Sequence, residues 1–166
     1  MPFPWRAGMR VTAERLNAHA PIFVFKDGHE QRTNSDTPLP DADLTLELDE
    51  GVWEVTAVLD FLGTSESEGI RVAWETDMPR LSIRRTAGPD ADHADRRSTR
   101  MTHASHAPDT HAHYGNHQGG QLRSHAWESF VVQGPGSLTL LWSQLTASSE
   151  MARLASSSYL KAQRIG

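Results

Sequence analysis

The feature that most constrains this fold is an apolar–polar alternation with a period of two residues. The alternation is clearest between residues 52 and 61, where Trp53, Val55, Ala57, Leu59 and Phe61 share one face. Successive side chains of a β-strand point to opposite faces, so this pattern predicts a strand that is buried on one side. Similar runs lie at residues 22–25, 44–48, 70–75, 81–83, 127–132, 138–142 and 158–164.

The connections between these runs favour an antiparallel arrangement. Turn signals occur at residues 49–51 (DEG) and 133–136 (QGPG), and long helices do not alternate with the strands. A chain of 166 residues can bury the core of one domain. The predicted fold class is all-β, an antiparallel jelly-roll-like β-sandwich. Trp53, Trp74 and Trp142 are in phase with aliphatic neighbours, which predicts that they belong to the core.

The first 20 residues differ from the rest of the chain. Residues 12–17 (TAERLN) resemble a short helix, so we predict an N-terminal arm over residues 1–20 and a β-sandwich domain over 21–166. A helix this short is unstable alone and needs a docking surface. Trp5, Met9, Val11 and Leu16 are the predicted anchors at that docking interface, with another subunit or a larger assembly. The alternative is that the arm covers an edge strand of its own domain.

Composition excludes several classes of partner and site. The net charge of −5 predicts no nucleic-acid binding, and the absence of cysteine excludes disulfides and thiolate metal sites. No apolar run reaches the roughly 20 residues needed to cross a bilayer. The N-terminus also lacks the apolar region of a signal peptide. We therefore expect a protein that is made in a cytoplasm and does not insert into membranes.

Residues 85–125 predict a long histidine-rich loop, because seven of the nine histidines lie between His93 and His125. His111 and His113 share a face if the backbone is extended. Three copies meeting on an axis would present six imidazoles from this pair, a set that suits zinc, iron, nickel or copper. The sequence predicts no cofactor apart from a transition-metal ion that such an arrangement of three copies would hold. A solvated loop and a loop ordered by neighbouring subunits are the alternatives.

The sequence predicts that the protein is not an enzyme. GxSxG, HExxH, P-loop and dinucleotide-binding motifs are absent. Glu128 near His125, and Asp60 near Glu54, are the conceivable acid–base pairs, and alternation places them on solvated strand faces. A carbohydrate-binding module is the serious rival, because sandwich loops often carry such sites. Its candidate exposed aromatic residues are Tyr114 and Trp127.

Two separated stretches carry a family resemblance. Residues 5–17 read WRAGMRVTAERLN, whereas residues 136–144 read GSLTLLWSQ and are followed by SYLKAQR at 158–164. Together they resemble small structural proteins of tailed phages that infect actinobacteria, in which a TAxRLN-type element opens the chain and strands of the types GxLTLxWxQ and SxLxxxR close it. The segment 85–125 departs from that family, because it is longer and richer in histidine.

The resemblance implies a structural protein of the virion. The first role that it implies is that of a homotrimeric capsid decoration protein (a minor capsid protein). Such a protein is attached through its N-terminal arm to the major capsid protein or to tail proteins. The alternative is a minor tail or tail-fibre-like protein whose sandwich binds a host surface glycan. In both cases the protein is made in the host cytoplasm and ends in the virion.

Overall fold

The protein is all-β in the computed structural model. The structure describes residues 8–10, 12–13, 17, 20–64, 69–91, 101–107, 110–116 and 123–166, with the backbone alone at 101–103. The strands are β1 Ile22–Phe25, β2 Glu30–Arg32, β3 Leu39–Gly63, β4 Ile70–Thr76, β5 Arg84–Pro89, β6 Met101–His106, β7 Ala112–Tyr114, β8 Ser124–Gln144, β9 Ala152–Leu154 and β10 Tyr159–Arg164.

Two long strands, β3 and β8, run side by side and organise the antiparallel sheet. The first half of the sheet has the order β1-β10-β3-β8-β5-β6 and uses residues 51–63 of β3. The second half has the order β3-β8-β4-β7 and uses residues 39–48 of β3. The short strands β9 and β2 continue the sheet beyond residues 61–63.

One apolar core lies between these halves. It contains the predicted inward face of residues 53–61, the leucines of residues 44–48, and Trp74 and Trp142, all of which are buried. Trp74 from the second half meets Phe130 from the first with ring centroids 5.1 Å apart. Tyr114 and Phe61 make a similar contact at 6.4 Å. The prediction that Trp53, Trp74 and Trp142 are core residues is therefore confirmed.

Both predicted turns are irregularities inside long strands. Leu48 pairs with Gly136 and Gly51 pairs with Gly134, so two residues of β3 lie opposite one residue of β8. Gly51 and Gly136 have φ angles of 147° and 153°, which side-chain-bearing residues rarely adopt. The prediction of chain-reversing turns was wrong because these signals also mark a β-bulge, which bends a strand without ending it.

The predicted loop at residues 85–125 also contains regular structure. Strands β6 and β7, all of β5 except its first residue, and the start of β8 lie within it, so the loop prediction does not hold for them. Their inward positions carry small or polar side chains, which hide the usual apolar alternation. The strand predicted at residues 81–83 was wrong about burial. Leu81 and Ile83 are exposed, whereas the adjacent Arg84 is buried.

The predicted N-terminal arm is described only in part. Met9 is half-buried, whereas Trp5, Val11 and Leu16 lie outside the described residues. The helix predicted at residues 12–17 likewise stays a prediction, because residues 14–16 lie outside. Over the part of the chain that the structure describes, no helix is long and apolar enough to cross a membrane.

Candidate functional site

The first buried ionic group surrounds Lys26 and is called the lysine cluster here. The Lys26 ammonium donates to Asp41 at 2.8 Å, to Glu30 at 3.0 Å and to Asp43 at 3.3 Å. An irregular stretch of β3 between Pro40 and Thr45 turns the Asp41 carboxylate inward. That carboxylate also accepts the backbone N–H groups of residues 43 and 44 and the indole N–H of Trp142.

The charges of the lysine cluster stabilise one another. Burial by itself lowers the pKa of Lys26, but hydrogen bonds to Asp41 and Glu30 outweigh it and raise that pKa above its ordinary value. Burial raises the pKa of Glu30, whereas Arg32 and Lys26 lower it to about 2 overall. A buried charge whose polar neighbours complete its hydrogen bonds is a structural element of a fold. The lysine cluster therefore fixes the start of β3 against β8.

The second buried group, the arginine cluster, centres on Arg84 and Glu128. Their side chains are 1% and 0% exposed, and Arg84 Nε lies 3.4 Å from Glu128 Oε2. Glu128 accepts the indole N–H of Trp74 and the hydroxyl of Tyr114, both at 2.6 Å. Within the described part of the chain, none of the three Arg84 nitrogens has a hydrogen-bond partner.

The arginine cluster shifts the pKa values of its neighbours. Burial, and then the charge of Glu128, raises the pKa of Tyr114 far above its ordinary value, so the phenol stays protonated and donates. Burial and the positive charge of Arg84 lower the pKa of His106, against a smaller opposing effect of Glu128. His106 is therefore a neutral imidazole at neutral pH.

A cavity of ≈ 190 Å³ adjoins the arginine cluster and is called the histidine cavity here. It lies between the β5–β6 hairpin and the segment that contains β7. Its polar lining consists of Thr86, Asp90, His106, His111, His113 and Tyr114. The sequence had paired His111 with His113, and the structure places His106 at the same cavity.

The structure leaves the predicted metal site as a prediction. The side chains of His111 and His113 are exposed, one just before β7 and one within it. Among the described residues, no group of three or more His, Asp or Glu side chains is placed to hold one metal ion. A site made by three copies depends on an assembly that a single chain does not show.

An aromatic surface covers the outer side of the first half of the sheet. Phe25, Tyr159, Val58 and Trp127 lie directly opposite one another across β1, β10, β3 and β8. Phe25 is 62% exposed and Trp127 is 40% exposed. Phe23 belongs to the same surface, and its ring lies 5.8 Å from that of Phe25. We call these five residues the aromatic face.

Charges of opposite sign border the aromatic face. Lys161 and Arg85 lie in the neighbouring row on one side, in register with each other through β3 and β8. Asp60 lies on the other side and contacts the ring of His125. The face is therefore an apolar strip with a basic flank and an acidic flank.

The residues conceived as acid–base or glycan candidates are arranged differently from the prediction. Glu128 is buried, not solvated, because its side chain points inward with Ala126 and Phe130. Tyr114 is 2% exposed and has no open face for a sugar, which leaves Trp127 as the exposed aromatic candidate. The sequence analysis did not identify Arg84. Its one signal was Glu128, which shares the strand face of Phe130 and therefore predicts a buried charge that needs a partner.

Comparison with known proteins gives this chain no family. A scan against known protein families and a search of curated proteins both find no match.

Proposed function

We propose that this protein is a structural component of a phage virion, a homotrimeric capsid decoration protein whose subunits associate through the aromatic face. The observation that carries the proposal is the exposure of Phe25 and Trp127 in a continuous apolar strip on a sheet surface. Aromatic residues in such a strip are enriched at protein interfaces. The resemblance at residues 5–17 and 136–164 supplies the virion context.

A second copy of this chain is the occupant that best suits the aromatic face. The strip crosses four strands, or about 14 Å at the usual strand spacing, and reaches the edge strand β1. Among the described residues β1 pairs only with β10, and its four residues are all apolar. Edge strands of monomeric proteins usually carry a charge or a proline that prevents association.

The charged flanks support a cyclic arrangement of copies. In a head-to-tail contact, the basic flank with Lys161 and Arg85 can meet the acidic flank with Asp60 of the next copy. Repetition of one such contact closes a ring when the rotation between copies permits it. A homotrimer is the ring that the resemblance implies, and a jelly-roll sandwich is its expected subunit.

The test is the oligomeric state of the full chain, measured by light scattering after size-exclusion chromatography. We expect a trimer for the wild type and a folded monomer for Phe25→Asp, because a carboxylate in the apolar strip has no partner. Leu39→Asp is the matched control, since Leu39 is 53% exposed and lies outside the aromatic face. A monomeric wild type contradicts the trimer, and a trimeric Phe25→Asp variant contradicts the interface.

Attachment through the N-terminal arm is tested separately. Removal of residues 1–20 should leave the β-domain folded by circular dichroism, while co-sedimentation with virions is lost. Virions with and without the protein, imaged by cryo-electron microscopy, should show it on the capsid surface. An arm-deleted protein that still co-sediments would contradict this anchor.

The alternative is a minor tail or tail-fibre-like protein that binds a host glycan, and the exposed ring of Trp127 is the observation in its favour. Aromatic rings bind sugars by stacking their apolar faces. Saturable binding to host cells that is lost in Trp127→Ala would favour this alternative. Binding to capsids without binding to cells would favour decoration.

A further inference from the structure

Lys26 and Asp41 bring an amine and a carboxyl group into contact inside the protein. Their side chains are 1% and 0% exposed. Lys26 Nζ lies 2.8 Å from Oδ2 and 3.0 Å from Oδ1 of Asp41. The carboxyl carbon Cγ joins these two oxygens, so it is no farther from Nζ than the roughly 3–3.5 Å of a near-attack arrangement. A nitrogen nucleophile therefore lies against an electrophilic carbon.

The two oxygens of the Asp41 carboxyl group have different surroundings. Oδ1 accepts the backbone N–H groups of residues 43 and 44, both at 3.0 Å. Two fixed backbone donors on one oxygen stabilise the negative charge that this oxygen gains in a tetrahedral intermediate. Oδ2 is the oxygen nearer to Lys26 Nζ, and it accepts the indole N–H of Trp142 at 3.1 Å. Oδ2 is therefore placed to receive protons and leave.

Two further carboxylates contact the same nitrogen of Lys26. Glu30 Oε2 lies 3.0 Å from Nζ, and Asp43 Oδ2 lies 3.3 Å from it. A carboxylate within hydrogen-bond reach of a reacting nitrogen can accept its proton as a general base and return it as a general acid. Glu30 is the closer of the two, so it is the better placed proton carrier.

We propose that Lys26 Nζ and Asp41 Cγ condense to an intramolecular isopeptide bond, with Glu30 as the proton carrier. One proton passes from Nζ to Oδ2, and the resulting amine attacks Cγ while the C=O electron pair moves to Oδ1. Glu30 takes a second proton from Nζ and delivers it to Oδ2. The Cγ–Oδ2 bond then breaks and Oδ2 leaves as water. One ammonium and one carboxylate thus become one amide, which keeps one hydrogen on Nζ, and one water.

Burial favours the product but slows its formation. Two buried charges have lost their hydration, whereas an amide is neutral, so condensation removes the cost of their desolvation. Burial lowers the pKa of Lys26, but the hydrogen bonds to Asp41 and Glu30 raise it overall. The ammonium therefore keeps its proton against solvent and reacts only by proton transfer inside the lysine cluster. We expect the bond to form slowly after folding, with the ion pair described above as the reactant.

The bond would join the edge strand β1 to the long strand β3. Lys26 directly follows β1, and Asp41 lies near the start of β3. A covalent link at this point prevents β1 from separating from β3 when the chain that precedes β1 is pulled. The reaction itself is independent of the virion role. Only this mechanical consequence rests on the proposed attachment through the N-terminal arm.

The test is the intact mass of the full chain under denaturing conditions, measured directly after purification and during incubation of the folded protein at neutral pH. We expect a species lighter than the unmodified chain by one water, and its fraction should grow with time. Trypsin should release residues 16–32 joined to residues 33–71 as one branched peptide, because acylated Lys26 resists cleavage. Tandem mass spectrometry then locates the branch at Lys26 and Asp41.

Matched variants identify the reacting groups. Lys26→Arg keeps the positive charge but lacks the amine, and Asp41→Ala lacks the carboxyl carbon, so both should keep the full mass. Glu30→Gln should slow the growth of the lighter species about tenfold or more, because general acid–base catalysis contributes about 10²–10⁴-fold and Asp43 remains as a second base. Glu75→Gln is the control, since Glu75 is exposed and distant in sequence, and it should react as the wild type does.

A second reaction with the same mass change has its own control. An Asp-Gly sequence also loses one water when it forms a succinimide, and residues 27 and 28 are Asp-Gly. Gly28→Ala suppresses the succinimide, fits the open space around Gly28, and should leave the isopeptide bond unchanged. The proposal is overturned if the wild type keeps its full mass throughout, if the lighter species persists in Lys26→Arg, or if Gly28→Ala removes it. The wild-type mass decides the matter even if Lys26→Arg and Asp41→Ala do not fold.

Discussion

The lysine cluster and the arginine cluster solve the same problem in different ways. Each buries one cation against a carboxylate between β-strands. Lys26 donates to three carboxylates, and Asp41 completes its own hydrogen bonds with two backbone N–H groups and Trp142. Among the described residues Arg84 has one nearby carboxylate, that of Glu128, whose two oxygens accept hydrogen bonds from Trp74 and Tyr114.

The two clusters differ in how completely the buried cation is hydrogen-bonded. A buried ion pair is weak evidence for stability, because desolvation offsets the attraction between its charges. When all the surrounding hydrogen bonds are made, as around Lys26, the group fixes a local geometry. When buried donors have no acceptor among the described residues, as on Arg84, the desolvation of the charge is less completely offset.

The largest expected effect is the loss of the Lys26 charge. Lys26→Met should destabilise the protein by about 3–5 kcal/mol, because it leaves the fully buried Asp41 carboxylate without its cation. The measurement is urea unfolding at neutral pH. Arg123→Met is the control, since Arg123 is exposed and its side chain should contribute less than about 0.5 kcal/mol. Equal losses of unfolding free energy in the two variants would contradict a structural role of the lysine cluster.

The next largest expected effect is a difference between the two clusters in the coupling energy that a double-mutant cycle measures. Arg84→Met and Glu128→Gln each leave one buried charge, so their combination should cost about 1–3 kcal/mol less than the sum of the single changes. In the second cycle, the combination of Lys26→Met and Asp41→Asn should fall short of the sum of its single changes by a smaller amount. The reason is that Asp41 also accepts the backbone N–H groups of residues 43 and 44, and this contact is lost in either background. Unfolding free energies of all six variants provide the test. Equal recovery in both cycles would mean that the clusters are equivalent.

The smallest expected effect is a pH dependence confined to the lysine cluster. The pKa of Glu30 is about 2 in the folded protein and 4.5 in the unfolded chain. The ionised Glu30 therefore contributes its full stabilisation above pH 4.5. That effect is lost as the pH falls from 4.5 to 2. The pKa of Lys26 is raised, so its effect is lost only above pH 10.5 and does not interfere.

The measurement is urea unfolding at several acidic pH values. Glu30→Gln should flatten the stability profile between pH 4.5 and 2 relative to the wild type. Glu75→Gln changes a carboxylate at an exposed strand position and serves as the control. If both variants keep the wild-type slope, the acid sensitivity does not arise in the lysine cluster.

The sequence predicted the apolar face of the sheet better than it predicted chain direction or polar sites. Alternation identified the buried positions from Trp53 to Phe61, since side-chain burial has the same period as the strand. It misread Gly51 and Gly136, because a glycine required by a bulge looks like a glycine required by a turn. It placed Glu128 in solvent, because a charged side chain is buried only when distant partners such as Trp74 are present.

By itself, the sequence determined the all-β class, the inward tryptophans and the concentration of histidines in one segment. These properties follow from local periodicity and composition, which need no knowledge of pairing. The tertiary structure alone decided that Phe25, Tyr159, Val58 and Trp127 form one strip, and that His106 joins His111 and His113 at one cavity. Strand order and register bring together residues from distant parts of the chain, and no local pattern encodes that pairing.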